Sequence, residues 1–256
     1  MSERLEGKSF IVIGAGTGIG AATVRRLASE GARVCVGDIN RDAAEAVAEQ
    51  VRAGDGNAFA VAVDITDQAQ VDAAVGEAVQ RFGKLDGAHV NAADLRVIFQ
   101  DSDALDVDMA VFDRTLDVNL RGHLRCTKAV LPHLLANGGG AIVYTTSAAG
   151  DAAEPTRPSY AASKSGLNAL MRHVASRWGS EGITSNCVAP GFVMTPEMVA
   201  GGQVPEDFIK QCLKGVHSQR LGKVEDIAAM VALLLSEDGR WINGQVMHVN
   251  GGALMP

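Results

Sequence analysis

The sequence predicts an α/β fold in which helices cover both faces of a parallel β-sheet. Short apolar runs typical of buried strands alternate with amphipathic segments of helical periodicity along the whole chain. The first run, Ser9–Ile13, leads directly into the glycine-rich stretch GAGTGIG, and a helical segment and a second strand follow. Neither a fixed-period repeat nor a linker divides the 256 residues, so we expect a single domain spanning 1–256.

The individual elements follow from the same periodicities. Strands are predicted at 9–13, 33–37, 58–63, 85–90, 141–146, 183–189 and 245–249. Helices are predicted at 21–31, 42–52, 67–82, 106–136, 158–180 and 223–235, and we expect the helical stretch 106–136 to contain a break or bend. Residues 192–222 mix Gly and Pro with apolar side chains, which indicates a mobile substrate lid over an apolar pocket or, alternatively, a flap that binds a partner.

Composition limits the classes of partner and compartment. A net charge of −7 argues against a surface for nucleic acid or anionic membranes, and no apolar run approaches the roughly 20 residues of a membrane span. The polar N-terminus lacks a signal-peptide core, and the four cysteines form no C-x-x-C pair, so we expect a cytoplasmic protein without disulfides. The six histidines show no ligand spacing, and we expect no metal site.

The glycine-rich stretch predicts a dinucleotide site. Gly14 permits a tight turn after the first strand, and Gly18 and Gly20 let the backbone and the helix start approach a pyrophosphate. Asp38 follows Gly20 by eighteen residues, near the spacing of a carboxylate that binds the adenosine ribose. Its charge would repel a 2′-phosphate, which favours NAD over NADP, although Asp38 is also a typical turn former at a strand end.

A second group of residues predicts proton transfer. Tyr160 and Lys164 lie four positions apart on one helix, so their side chains share a face, and Ser147 ends a predicted strand. Lowering the pKa of a phenol from about 10 to about 7 requires about 4 kcal/mol, which one cation at roughly 4 Å supplies at an effective dielectric near 20. We therefore expect Lys164 to lower the pKa of Tyr160. The alternative is a surface tyrosine and lysine that merely share a helix face.

In this order along the chain, the motifs resemble those of the short-chain dehydrogenase/reductase family in its compact single-domain form. The resemblance covers the chain from Gly14 to Gly252. It rests on Gly14-x-x-x-Gly18-x-Gly20, Asp38, Asp64-Ile65, Asn91-Ala92-Ala93, Asn119, Ser147, Tyr160-x-x-x-Lys164, Pro190-Gly191 with Thr195, and Asn243-Gly244-Gln245 followed by Asn250-Gly251-Gly252. The resemblance implies a Rossmann-like, doubly wound parallel sheet of seven strands.

The resemblance also implies roles for individual residues. Tyr160 would be the general acid/base, Lys164 would lower its pKa and bind the nicotinamide ribose, and Ser147 would orient the substrate oxygen. Asn119 would hold a water in a proton relay to Lys164. The implied contacts to NAD are Gly14, Thr17, Gly18, Ile19, Gly20, Asp38, Ile39, Asp64, Ile65, Asn91, Ala92, Ala93, Tyr160, Lys164, Pro190, Gly191, Val193 and Thr195.

Two positions depart from the family pattern. Ile13 stands where a threonine is usual, and Ala93 adds a methyl group where a glycine usually lets the backbone approach the cofactor. This predicts a somewhat weaker affinity for the cofactor. The proton-transfer residues are complete.

We therefore expect an NAD-dependent oxidoreductase that moves a hydride between nicotinamide and an apolar secondary alcohol or ketone. The alternatives are an NADP-dependent carbonyl reductase of the same fold and a non-catalytic protein that senses nucleotides or serves as a scaffold. Asp151, Glu154 and Arg157 either add a polar substrate contact or are solvated. The family resemblance further implies a homotetramer formed through 106–136 and 158–180, for which the latter supplies the small residues Ala161, Ala162, Ala169 and Ala175.

Overall fold

Seven parallel strands form the main sheet of the computed structural model, which describes residues 4–200 and 205–255. In chain order the strands are β1 (Ser9–Ile13), β2 (Arg33–Asp38), β3 (Asn57–Ala62), β4 (Gly87–Val90), β5 (Gly140–Thr145), β6 (Ile183–Pro190), β7 (Val193–Met194), β8 (Gly222–Lys223) and β9 (Val246–Val249). The main sheet has the order β3-β2-β1-β4-β5-β6-β9, and β7 pairs with β8 in a separate parallel ribbon. The predicted seven-stranded, doubly wound sheet is confirmed.

Helices cover both faces of this sheet. They are α1 (Gly18–Ser29), α2 (Arg41–Ala53), α3 (Gln68–Phe82), α4 (Met109–Leu116), α5 (His123–Ala136), α6 (Pro158–Trp178), α7 (Pro196–Ala200), α8 (Glu206–Lys214) and α9 (Val224–Leu235). One apolar core lies between the sheet and α3, α5 and α6, and the other lies between the sheet and α1, α2 and α9.

The strands consist mainly of apolar residues because both faces of the sheet are buried. In β1, Ile11 and Ile13 point into the first core, and Phe10 and Val12 point into the second. β1 and β4 lie side by side in the sheet, although β2 follows β1 in the chain. The direction in which successive strands are added to the sheet therefore reverses between β1 and β4. The crevice outside the carboxyl ends of these strands is where open α/β sheets bind ligands.

The predicted break in the stretch 106–136 takes the form of a π-helical turn. Asp117–Gly122 joins α4 to α5 with this wider winding. The turn lies tightly against the loop after β3, since a Cβ at Gly122 would come within 2.7 Å of the Ile65 side chain. The wide turn points Asn119, which is fully buried, toward the centre of the protein.

The stretch 192–222 is more regular than the sequence indicated. Its described residues contain β7, α7, α8 and β8, and only residues 201–204 of the predicted lid lie outside the described part of the chain. Strands of two residues are too short to show a periodicity, and β7 exists because it pairs with β8 nearly thirty residues later. The segment therefore contains regular structure, and its role as a lid or a partner-binding flap stays a prediction.

All four cysteines are free, with Cys35, Cys126 and Cys187 buried and Cys212 half-buried. In the ranges 4–200 and 205–255, no helix is long and apolar enough to cross a bilayer.

Candidate active site

Ser147, Tyr160 and Lys164 come together beyond the carboxyl end of β5. Ser147 follows that strand by two residues, and α6 carries the other two side chains on one face. The Lys164 ammonium is buried, donates to the Thr145 carbonyl at 3.0 Å and lies 5.6 Å from the centre of the Tyr160 ring. The Tyr160 phenol and the Lys164 amine therefore lie near each other, as their spacing in the sequence predicts.

The protonation of these groups differs from the expectation. Burial raises the pKa of Tyr160; the Ser147 hydroxyl and the Arg157 charge oppose this effect without reversing it, and the Glu154 charge adds to it. Burial also lowers the pKa of Lys164 to about 8. The expectation that Lys164 lowers the pKa of Tyr160 was wrong for this structure, because the Lys164 Nζ atom is turned to the Thr145 carbonyl and desolvation dominates at the phenol.

Asn119 lies on the opposite wall of the same crevice. Its Oδ1 accepts a hydrogen bond from the backbone N–H of Asp94 at 3.0 Å. Its buried Nδ2 has no hydrogen-bond partner among the described residues. A buried amide with an unused donor is a position where an ordered water would be held.

The glycine loop is packed against the end of β4. A Cβ at Gly14 would lie 2.6 Å from Cα and N of Ala92, so only glycine fits this crossing. Asn91 joins the two segments, because its Nδ2 donates to the Gly14 carbonyl at 2.8 Å and its Oδ1 accepts from the Thr145 hydroxyl at 2.8 Å. Ala93, which follows, is half-buried beside this contact.

The start of α1 offers backbone N–H groups to an anion. Thr17 occupies the N-cap position without a side-chain cap, and the first turn has no acidic residue. The N–H of Gly18 donates to the exposed Glu197 carboxylate of α7 at 3.3 Å, and Ile19 packs below the loop on the core. The N–H groups of this helix start and the helix dipole suit a diphosphate in place of the Glu197 carboxylate.

Asp38 ends β2 beside this loop. Its Oδ2 accepts from the Gly16 N–H at 2.8 Å and its Oδ1 accepts from the Asn40 N–H at 2.9 Å. The second contact is the turn-forming role that the sequence left open. The first contact fixes the carboxylate at the rim of the glycine loop, which is where the ribose of a dinucleotide lies in this fold.

Three further residues predicted to contact the cofactor differ in their contacts and in their exposure. Asp64 accepts from the N–H and the hydroxyl of Thr66, both at 2.8 Å, and so forms a turn. Ile65 is buried against Gly122, whereas Ile39 is 64% exposed. Ile39 therefore offers an apolar surface at the rim, and Ile65 supports the wall from behind.

The remaining predicted contacts come from the chain after β6. Pro190 ends that strand, and Gly191 packs closely on Asn250, where a Cβ would meet Asn250 Cα at 2.9 Å. Val193 lies in the short ribbon, and the Thr195 methyl group lies 3.6 Å from the position of a Cβ on Gly18. The structure therefore brings the lid segment onto the glycine loop.

Sequence reasoning missed an ion cluster behind Asn119. Hydrogen bonds and charge from Arg96 and Arg114, opposed by burial, hold the pKa of the Asp94 carboxyl well below its usual range. Asp94 binds Arg96 through both oxygens, at 2.9 and 2.8 Å, and Arg114 at 3.0 Å. The sequence around Asp94 does not indicate this cluster. Arg114 lies twenty residues farther along the chain, on α4, and reaches Asp94 only in the folded protein.

The polar residues between Ser147 and Tyr160 form pairs, and Asp151 and Arg157 also remain partly exposed to solvent. Asp151 lies 3.4 Å from His248 Nε2 and accepts from Asn168 Nδ2 at 3.1 Å. Glu154 accepts from Arg157 at 2.6 Å. Within the described ranges, no group of three or more His, Cys, Asp and Glu side chains is arranged to hold a metal ion.

These features fit a dinucleotide on the observed geometry alone: a close backbone crossing at Gly14 that only glycine allows, backbone N–H groups at the start of α1, and a carboxylate held beside the glycine loop. The buried, unsatisfied Asn119 amide and the Tyr160–Lys164 pair then lie at the inner end of the crevice.

Known proteins resemble the chain over nearly its full length. A family profile described as enoyl-(acyl carrier protein) reductase matches residues 14–253. A probable short-chain type dehydrogenase/reductase of Bradyrhizobium diazoefficiens is 41% identical over 253 residues, which cover 98% of this chain and 89% of the relative. The 3-oxoacyl-[acyl-carrier-protein] reductase of Staphylococcus aureus is 34% identical over 97% of this chain and 98% of its own.

A solved structure is similar at the level of the fold. The 7α-hydroxysteroid dehydrogenase complexed with NADH and 7-oxo glycochenodeoxycholic acid superposes with a TM-score of 0.90 at 32% identity. The match covers 100% of this chain and 97% of that one.

Proposed function

Because this chain belongs to the short-chain dehydrogenase/reductase family of oxidoreductases, we propose that it is an NAD(H)-dependent enzyme that interconverts a secondary alcohol and a ketone. The observation that carries the proposal is the convergence of Ser147, Tyr160 and the buried Lys164 at the inner end of a crevice whose rim fits a dinucleotide.

In this proposal Tyr160 exchanges a proton with the substrate oxygen, and the Ser147 hydroxyl hydrogen-bonds to the same oxygen. The nicotinamide, when bound, supplies or accepts the hydride. Lys164 remains cationic at neutral pH because its pKa is about 8, and in this proposal its ammonium would bind the nicotinamide ribose. The unused Asn119 donor would hold a water between Lys164 and solvent.

Asp38 supports NAD as the cofactor. Its carboxylate is fixed by Gly16 and Asn40 at the rim, and a 2′-phosphate at about 4 Å would meet a repulsion of about 4 kcal/mol at an effective dielectric near 20. Gly16, which is in contact with Asp38, has no side chain and therefore supplies no cation to offset this charge. NADP is therefore disfavoured in our proposal.

The substrate is proposed to be an apolar ketone or its alcohol. Phe192 and Phe208 pack edge to face at 5.3 Å between ring centres in the segment 192–222, which we propose closes over the site as a lid. The relatives act on, or were solved with, a 3-oxoacyl group and a 7-oxo steroid, so both chemical classes belong in a substrate panel.

A turnover screen with NAD and NADP tests the proposal. Tyr160→Phe should lower kcat at least a thousandfold and leave the Kd for NADH within twofold, because the phenyl ring keeps the packing and loses the proton. Tyr144→Phe is the matched control, since Tyr144 is the other of the two tyrosines and its hydroxyl contacts Thr127 inside the core. Equal turnover by Tyr160→Phe and the wild type would contradict the proposal.

We also propose a homo-oligomer that works in the cytoplasm. Trp241 is 99% exposed, and β9 is the edge strand of the main sheet, so this side offers apolar and backbone groups to a second copy. Ala162 and Ala169 lie exposed on the outside of α6, whereas Ala175 is buried and is not available to a partner. Sedimentation velocity measures the assembly.

A further inference from the structure

The helix that carries Tyr160 begins without a cap of its own. Arg157, the residue before α6, has a left-handed backbone conformation (φ 59°, ψ 53°) and its side chain does not cap the helix. Tyr160 is the third residue of α6, so its N–H is one of the helix-start donors that have no acceptor within the helix.

An aspartate from a distant loop supplies the missing acceptors. Asp101 lies in the connection between β4 and α4 and is 5% exposed. Its Oδ1 accepts from the Ser159 hydroxyl at 2.8 Å and from the Ser159 N–H at 3.4 Å, and its Oδ2 accepts from the Tyr160 N–H at 2.9 Å. The N–H of Arg157 donates to the carbonyl of the neighbouring Ser102 at 2.6 Å.

These contacts act on the backbone of the proton-transfer residue itself. A carboxylate at a helix start is stabilised by the N–H groups and the helix dipole, and here both of its oxygens are used on Ser159 and Tyr160. No other side chain among the described residues makes a hydrogen bond to the Tyr160 N–H. The position of the phenol relative to Lys164 and Ser147 therefore depends on this anchor.

We propose that Asp101 is a positioning residue that holds Tyr160 in register with Lys164 and Ser147. The inference rests on the proposed function for its kinetic consequence, and on the hydrogen bonds alone for its structural one. A shift of about 1 Å in a reacting group lowers turnover by up to about a hundredfold, so loss of the anchor acts on kcat. Cofactor binding at the glycine loop does not involve these contacts.

Three variants separate positioning from general stability. Asp101→Ala removes all three acceptor contacts, and we expect kcat to fall at least tenfold while the Kd for NADH changes less than twofold. Asp101→Asn should restore kcat to within threefold of the wild type, because its Oδ1 accepts from Tyr160 and its amide donates to the Ser159 hydroxyl. Asp103→Ala is the control, since Asp103 is an exposed residue of the same loop whose carboxylate accepts from the N–H groups of Leu105 and Asp106.

An ultraviolet titration of the phenol gives a readout that needs no substrate. The chain has two tyrosines, so the titration is carried out in the Tyr144→Phe background, where the transition reports Tyr160. The charged groups facing Tyr160 are Arg157 and Glu154 before α6, Lys164 on it, and Asp101. Asp101→Ala loosens the burial of the phenol, which lowers its pKa, whereas Asp103→Ala leaves it unchanged.

The outcomes are distinct. A fall in kcat with Asp101→Ala, recovery with Asp101→Asn and a downward titration shift support the proposal. Unchanged kcat and titration in folded Asp101→Ala overturn it, as does an equal loss in Asp103→Ala. If Asp101→Ala does not fold, Asp101→Ser replaces it, because a serine hydroxyl is too short to reach the Tyr160 N–H. If the wild type turns over no substrate, the proposed function fails while the titration still decides the role of Asp101.

Discussion

Burial, rather than charge alone, sets the state of the two groups that exchange the proton. It raises the pKa of Tyr160 and lowers that of Lys164 to about 8, so both side chains are pushed toward their neutral forms. The spacing of four residues predicted that the two would be neighbours. That spacing does not indicate how deeply α6 buries the two side chains against β5. The direction of the pKa shift at Tyr160 could therefore not be predicted from the spacing.

At the same scale, the cofactor preference depends on one carboxylate. Replacing Asp38 by Asn removes the charge and retains an oxygen that accepts from Gly16. We expect the ratio of the Kd values for NADPH and NADH to fall at least tenfold, since the repulsion of a 2′-phosphate is lost. The check is a fluorescence titration with both nucleotides.

Asp42→Asn provides the matched control for this charge change. Asp42 lies in the first turn of α2, close in sequence but outside the contact with the glycine loop. An unchanged ratio in Asp38→Asn would show that Asp38 is only a turn former.

At the scale of elements, α7 places a carboxylate where a diphosphate would bind. Glu197 accepts from the Gly18 N–H at the start of α1. Replacing it by Gln removes the competing negative charge, and we expect NADH to bind about threefold more tightly, a small effect because the contact is exposed. The measurement is the Kd for NADH at low ionic strength.

Glu206→Gln is the corresponding control. Glu206 lies at the start of α8 and pairs with Lys210, away from the glycine loop. Weaker binding by Glu197→Gln would mean instead that the carboxylate helps to hold the cofactor.

The elements were predictable to different degrees. Most strands of the main sheet were predictable as apolar runs, because strands buried on both faces are rich in apolar residues. The two-residue strands β7 and β8 and the docking of Asp101 onto α6 depend on segments distant in the chain, which no local pattern records. The local sequence does not distinguish Asp101 from its neighbours Asp94 and Asp103. The role of the Asp101 carboxylate could therefore not be predicted from it.

At the scale of the whole molecule, buried histidines make stability depend on pH. Burial lowers the pKa of His123 to about 3, and the nearby Lys164 charge acts in the same direction. Neither ring nitrogen has a partner with hydrogen-bond geometry in the described residues, although the Val118 and Val90 carbonyls are close. Between pH 6.5 and 3 the unfolded chain binds a proton that the folded chain refuses, so stability falls as the pH falls.

Replacing His123 by Leu should remove part of this acid sensitivity. We expect the variant to gain about 2 kcal/mol relative to the wild type at pH 4.5, measured by urea unfolding. At pH 7.5 the histidine is neutral in both states, so the difference there reports only packing and serves as the reference. Parallel loss of stability in the two proteins would rule out this role for His123.

The cysteine thiols differ in burial, so that one of them can be labelled selectively. Cys35, Cys126 and Cys187 are buried, and desolvation raises the pKa of each, so they are shielded from alkylating reagents. Cys212 is half-buried on α8, within the segment proposed to close over the substrate. A single environment-sensitive dye can therefore be placed on this segment of the wild-type chain without any mutation, and a change in its emission on addition of substrate would report the proposed closure.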